Sequence, residues 1–183
     1  VEFEAAWLPR FSAANPKLKI IDSAAGVERI PIAPTPSGQA TGELDPHIWL
    51  SPSRAKQISN NIAAALEEFD PANAQVYQAN LEAWLKEIDQ VDADVHSALS
   101  GITRDHFLVI HPAWGYFAQE YGLVMLAVEQ EGQEPGPDDL AKIIEQAHTY
   151  QITRIFSQKG VNQKLAQSVA DQLNGAQIIE LDP

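Results

Sequence analysis

A chain of 183 residues, 45% hydrophobic and 20% charged, has the composition of an ordinary globular protein with room for one sizeable core or two small ones. Its net charge of −13 argues against a general binder of nucleic acid or anionic membrane, since both need a basic face, and suits a protein that attracts cations. With no cysteine, disulfides and thiolate metal sites are excluded, so a transition-metal site here must use histidine and carboxylate.

No apolar run reaches membrane-spanning length, and no signal-peptide pattern is present. The opening Val1-Glu2-Phe3, without Met, reads as a processed or trimmed product. Residues 1–14, with Phe3, Trp7, Leu8 and Phe11 at helical spacing, predict a short amphipathic helix that Asn15-Pro16 ends. Leu18, Ile20 and Ile21 predict a short strand over residues 17–22. Residues 31–46 are a loop rich in Pro, Gly, Ser and Thr. Asp45-Pro46-His47-Ile48-Trp49-Leu50-Ser51-Pro52 then places an imidazole between two prolines, each of which fixes its own φ and pushes the preceding residue towards extended backbone. Ser51-Pro52 is a helix start, and the helix runs to Phe69. Asp70-Pro71 interrupts it, and a second, longer helix runs from Pro71 to Leu99, where Gly101 stops it. Its apolar positions Leu81, Trp84, Leu85, Ile88, Val91 and Val95 step by three and four along one face. Roughly thirty residues at 1.5 Å each make a rod of about 45 Å, long enough to bridge two lobes or cross a domain.

From residue 107 onward, short apolar runs alternate with helical patterns. Strands are expected at 107–110, 124–128, 152–156 and 177–181, and helices at 112–121, 136–150 and 162–173. Such a βαβαβαβ run implies a mainly parallel sheet covered by helices. Ligands of these sheets bind beyond the carboxyl ends of the strands, and His111 and Asp182 each lie just past such an end. Other readings stay open: His47 and His111 as caps of the helices that follow them, Asp182 as a frayed terminal carboxylate, and Asp45 either orienting the His47 ring or simply making the turn before Pro46. His96, His106 and His148 read as a solvated helix face, a strand start and a helix end, and Trp114, Tyr116, Phe117 and Tyr121 as mostly core.

Four stretches in this order carry a resemblance: the 45–52 motif, His111-Pro112-Ala113-Trp114-Gly115-Tyr116-Phe117, Gly132-Gln133-Glu134-Pro135-Gly136-Pro137, and Glu180-Leu181-Asp182-Pro183. Over most of its length the chain resembles the periplasmic zinc-binding proteins of bacterial ABC importers, the ZnuA-type solute-binding family. The resemblance implies an α/β fold of parallel sheets flanked by helices, with two lobes joined by a long rigid helix and the first lobe incomplete. It divides the chain into residues 1–50, a remnant of the first lobe with the metal loop; 51–100, helical with the linker helix; and 101–183, the second α/β lobe, truncated at its end. It implies His47, His111 and Asp182 as metal ligands, Zn²⁺ as the ion with Mn²⁺ as the alternative, and a periplasmic or membrane-anchored extracytoplasmic location. The family has a further ligand, a histidine on an early loop, without a counterpart here, and continues past the position of Pro183. The implied function is non-catalytic capture of zinc for delivery to a membrane permease, with no nucleic-acid partner and with self-association of the fragment as a further expectation. Two other functions stay open: a zinc hydrolase using the same three ligands with Glu131 or Glu134 as general base, and a metal-binding adhesin.

Overall fold

The computed structural model describes residues 4, 6–34, 38, 42–130, 132–160 and 162–181. The chain divides into two compact units, Val1–Arg29 with Ser51–Ala98, and Ile30–Leu50 with Leu99–Pro183.

The first unit is helical, with α1 (Leu8–Ala14), α2 (Pro52–Phe69) and α3 (Ala74–Leu99). Helix α2 starts where Ser51-Pro52 predicts: the Ser51 hydroxyl accepts from the Arg54 N–H, and Pro52, which lacks an N–H, takes the first helical position. One 3₁₀ turn, Pro71–Asn73, leads into α3. The 26 residues of α3 run unbroken, about 39 Å at 1.5 Å per residue. The expected long helix is therefore present, and its regular part begins three residues after Pro71. Helices α2 and α3 lie antiparallel, tied by the Lys56–Asp89 ion pair, by Trp84 Nε1 donating to Ser59 Oγ at 3.0 Å, and by Gln78 Nε2 donating to Glu67 Oε1 at 2.6 Å.

The expected first helix is present as α1, which begins at Leu8 and ends at its C-cap, Asn15, with Phe3 outside the described residues. One expectation fails in this unit. Residues 17–22 form no strand. Leu18, Ile20 and Ile21 are exposed, and the segment is held by turns in which Asn15 Oδ1 accepts from Lys17 N–H and Asp22 Oδ1 from Ala24 N–H. A short apolar run becomes a strand only where another strand satisfies its backbone, and no strand among the described residues pairs with this one.

The second unit holds one parallel sheet with strands β1 (His106–Val109), β2 (Val124–Ala127), β3 (Arg154–Gln158) and β4 (Gln177–Leu181). Its order is β2-β1-β3-β4. The connecting helices are α4 (Gly115–Tyr121), α5 (Pro137–Thr149) and α6 (Gln163–Gln172). The expected α/β architecture is thus the observed one. Leu108, Ile110, Val128 and Ile155 from the strands pack with Ile143 and Ala147 of α5 and Leu165, Ala166, Val169 and Ala170 of α6 in one buried core. The β1-to-β2 connection runs towards one edge of the sheet and the next two towards the other. The chain therefore reverses its winding between β1 and β3, and the crevice beyond their carboxyl ends is where such sheets take ligands. Helix α4 starts at Gly115, later than the Pro112 start read from sequence, because the Ala113 N–H turns back to the His111 carbonyl at 2.9 Å before helical bonding begins.

Residues 30–50 belong to this unit. Pro31 bridges antiparallel to Leu44, and Asp45 N–H donates to the Ile30 carbonyl at 2.9 Å. Tyr116 of α4 is fully buried. Its hydroxyl accepts from the Ile30 N–H at 3.2 Å and donates to the Asp45 carbonyl at 2.7 Å. One phenol thus ties the 45–50 stretch to the 111–116 stretch.

Candidate metal centre

His47 leads into the 3₁₀ turn Ile48–Leu50, whose Leu50 N–H donates to the His47 carbonyl at 3.2 Å. The turn is anchored by Ile48, which is buried. Asp45, only 4% exposed, fixes the imidazole from behind. Its Oδ1 accepts from the His47 backbone N–H at 2.9 Å and faces the ring Nδ1 at 2.7 Å. The orienting role weighed for Asp45 is the one the geometry shows, and the turn it makes is part of the same device. Gly115 lets this carboxylate lie close to α4, for a Cβ at that position would fall 2.7 Å from Asp45 Oδ2.

His111 lies two residues beyond β1, at the reversal point of the sheet. Its Nδ1 faces Glu129 Oε2 at 3.2 Å. Glu129 lies two residues beyond β2 and is 5% exposed. Its other oxygen, Oε1, accepts from Asn162 Nδ2 at 3.0 Å. The two histidines therefore have the same construction, each with a buried carboxylate at Nδ1.

The Nε2 atoms of His47 and His111 meet at 3.3 Å, with ring planes 82° apart. A carboxylate only accepts, so Nδ1 is the proton-bearing nitrogen of each ring, and a ring with that single proton presents its Nε2 lone pair forward. Two lone pairs aimed at each other repel unless a proton or a metal cation lies between them. Four donors about 2.0–2.1 Å from a tetrahedral zinc are about 3.3–3.4 Å apart along each edge, so this pair already has the spacing of one edge. Backing of a ligating imidazole by a carboxylate at its second nitrogen is the usual way such rings are oriented and made more basic.

Among the described residues no group of three His, Asp or Glu side chains closes around one point. Asp182 lies outside the described residues. Its neighbour Leu181 ends β4 and lines, with His111, Ser157 and Gln158, a small cavity of about 10 Å³. Glu131 is also outside the described residues, and Glu134 is exposed. The remaining histidines have other partners or positions: His96 is 3.6 Å from Asp92 on the solvent face of α3, His106 stacks on Tyr150 beside Asp105, and His148 is exposed in the last turn of α5. His106 holds the Asp105 carboxyl below the ordinary carboxylate range by its hydrogen bond. A larger cavity of about 490 Å³, lined by Phe107, Trp114, Phe117, Tyr150 and Phe156 among others, is mainly apolar and contains neither of the paired imidazoles.

A family model described as zinc-uptake complex component A, periplasmic (ZnuA), matches residues 1–183. The chain is 30% identical over 132 residues to the high-affinity zinc uptake system protein ZnuA of Bacillus subtilis, covering 71% of this chain and 41% of that protein. It superposes on a crystal structure of ZnuA with a TM-score of 0.88 at 37% identity, over 99% of this chain and 69% of that one. It superposes on a Zn(II)-bound mutant variant of AdcAII from Streptococcus pneumoniae with a TM-score of 0.83 at 25% identity, over 100% of this chain and 66% of that one. The chain spans about two fifths of the length of the Bacillus relative.

Proposed function

Because this chain belongs to the zinc-uptake complex component A family, we propose that it carries part of a zinc-capture site and that the whole protein delivers the ion to the permease of an ABC importer. The observation that carries the reading is the pair of carboxylate-backed imidazoles whose Nε2 atoms lie 3.3 Å apart. In this proposal His47 and His111 are donors through Nε2, and Asp182 supplies a carboxylate from the end of β4. What supports this third donor is strand direction: β4 runs parallel to β3 and β3 to β1, so Leu181, its last residue, lies at the same end of the sheet as Val109, the last residue of β1. Two imidazoles and one carboxylate form a donor set suited to Zn²⁺, whereas Mn²⁺ prefers oxygen-rich surroundings. The proposed role is capture, without catalysis. The two buried carboxylates beside the site each hold an imidazole, and neither is left as a general base. A protein that performs this task works outside the cytoplasm, in the periplasm or anchored to the outer face of a membrane.

Zinc calorimetry on the chain and on its His47→Ala, His111→Ala, Asp182→Ala and His96→Ala variants tests this. The first three variants are expected to bind at least ten-fold more weakly than the parent, the range in which even the partners of metal ligands act. His96→Ala should leave binding unchanged, and manganese should bind more weakly than zinc. Equal zinc affinity in the parent and both site-histidine variants would overturn the assignment.

A further inference from the structure

Asn162 occupies the residue before α6, where an asparagine normally turns its side chain back to cap the free N–H groups of the first turn. It does not do so. Its backbone is left-handed, with φ 45° and ψ 41°, and its side chain makes no capping bond, although its carbonyl accepts the first helical hydrogen bond from Ala166 at 3.1 Å. A non-glycine residue in this region is strained, least so for Asn and Asp, and the first turn of the helix goes without the side-chain acceptor an N-cap asparagine normally supplies. What the residue gains is one contact: Nδ2 donates to Glu129 Oε1 at 3.0 Å.

That contact decides where the other oxygen points. Glu129 hangs from backbone that the sheet fixes, because its N–H donates to the Ile110 carbonyl at 2.8 Å. With Oε1 pinned by the amide, the carboxylate plane is set and Oε2 is directed at His111 Nδ1, 3.2 Å away. Glu129 follows β2, His111 follows β1 and Asn162 follows β3, so three neighbouring strands each contribute one member of the chain.

We propose that Asn162 is a positioning residue for the metal site. Its amide holds Glu129 so that Glu129 accepts a hydrogen bond from the His111 Nδ1–H, which keeps the proton on Nδ1 and leaves Nε2 free to coordinate. The proposal deepens the zinc reading and rests on it for the identity of the ion. The His111 tautomer is independent of metal and can be tested apart from it.

The experiment uses the ¹⁵N-labelled full chain, free of metal, and reads the imidazole nitrogens of His111 by long-range ¹H–¹⁵N correlation. Parent, Asn162→Gly, Asn162→Asp, Glu129→Gln and the double variant Glu129→Gln/Asn162→Gly are compared. Glycine accepts the left-handed backbone, so it removes the amide without adding strain. Aspartate keeps the shape but offers Glu129 an acceptor where a donor is needed. His111 in the parent is expected to carry its proton on Nδ1. Asn162→Gly should give a mixture of tautomers and zinc affinity about ten-fold weaker, the lower end of the range for partners of metal ligands. Asn162→Asp should be worse than Asn162→Gly. The double variant should bind zinc no more weakly than Glu129→Gln alone, because Asn162 acts only through Glu129. An unchanged His111 tautomer in Asn162→Gly, or losses that add in the double variant, would overturn the proposal. A parent that binds no zinc sinks the zinc reading, while the tautomer comparison still decides the role of Asn162.

Discussion

Gly115 decides how near the Asp45 carboxylate can come to α4. A methyl group there would be 2.7 Å from Oδ2, well inside van der Waals contact. The carboxylate has little freedom to retreat, because its Oδ1 is committed to the His47 N–H and Nδ1 and its carbonyl takes the Tyr116 hydroxyl. In Gly115→Ala we therefore expect Asp45 to swing away from His47 and zinc affinity to fall about ten-fold. Alanine is the better helix former by about 1 kcal/mol, so the defect should show in binding more than in melting. Unchanged affinity by calorimetry would mean that the carboxylate has room to step aside. Tyr116→Phe tests the adjoining link. It strips a donor from the buried Asp45 carbonyl and an acceptor from the half-buried Ile30 N–H. A loss of about 1–3 kcal/mol is expected for removing this hydroxyl's hydrogen bonds, measured as a lower urea midpoint with an unchanged slope.

The hairpin of α2 and α3 has its own pH dependence, set where the two helices join. Asp70 Oδ2 accepts from Asn73 Nδ2 at 2.7 Å and from the Tyr77 hydroxyl at 2.8 Å. The Asn73 amide first, and then the tyrosine, lower the Asp70 pKa, and the same bond raises that of Tyr77. A carboxyl whose folded pKa lies below its unfolded value contributes stability above the unfolded value and loses it as pH falls through the folded one. The raised tyrosine contributes below its unfolded pKa and loses that contribution as pH rises through the folded one. Asp70→Asn should thus flatten both limbs of the stability profile, below about pH 4 and above about pH 10, as followed by helical circular dichroism in urea. A profile identical to the parent's would remove Asp70 from both limbs. The helices themselves are legible in sequence because their cues are local: Ser51-Pro52 starts one, and the three-four spacing from Leu81 to Val95 sustains the other. His47 and His111 are legible for the same reason, each being held beside a proline. Glu129 and Asn162 are not, since one resembles any loop acid and the other any helix cap. The available clue is register. Val109 pairs with Ala127 across parallel strands, so the residues two steps beyond each, His111 and Glu129, emerge side by side. That pairing depends on strand order, which periodicity alone does not supply.

At the scale of the whole molecule, the proposed site would link a net charge of −13 to a cationic ligand and to folding. His47 and His111 are 64 residues apart in sequence and 3.3 Å apart in space, so an ion that needs both binds the folded second unit and not the unfolded chain. Ligand present at 100 times its Kd should then stabilise that unit by about 2.7 kcal/mol. His47→Ala and His111→Ala should lose this increment, and His96→Ala should keep it. Protons oppose the ion, because an imidazole must be neutral to coordinate, so binding releases protons and apparent affinity falls as pH falls. Chelator competition at several pH values from neutrality downward should give a curve that steepens with the number of imidazoles engaged. Replacing either site histidine should reduce the slope as well as the affinity, whereas replacing His96 should change neither. A slope that survives both site substitutions would place the proton-linked groups elsewhere and would separate the acid sensitivity of this protein from its paired imidazoles.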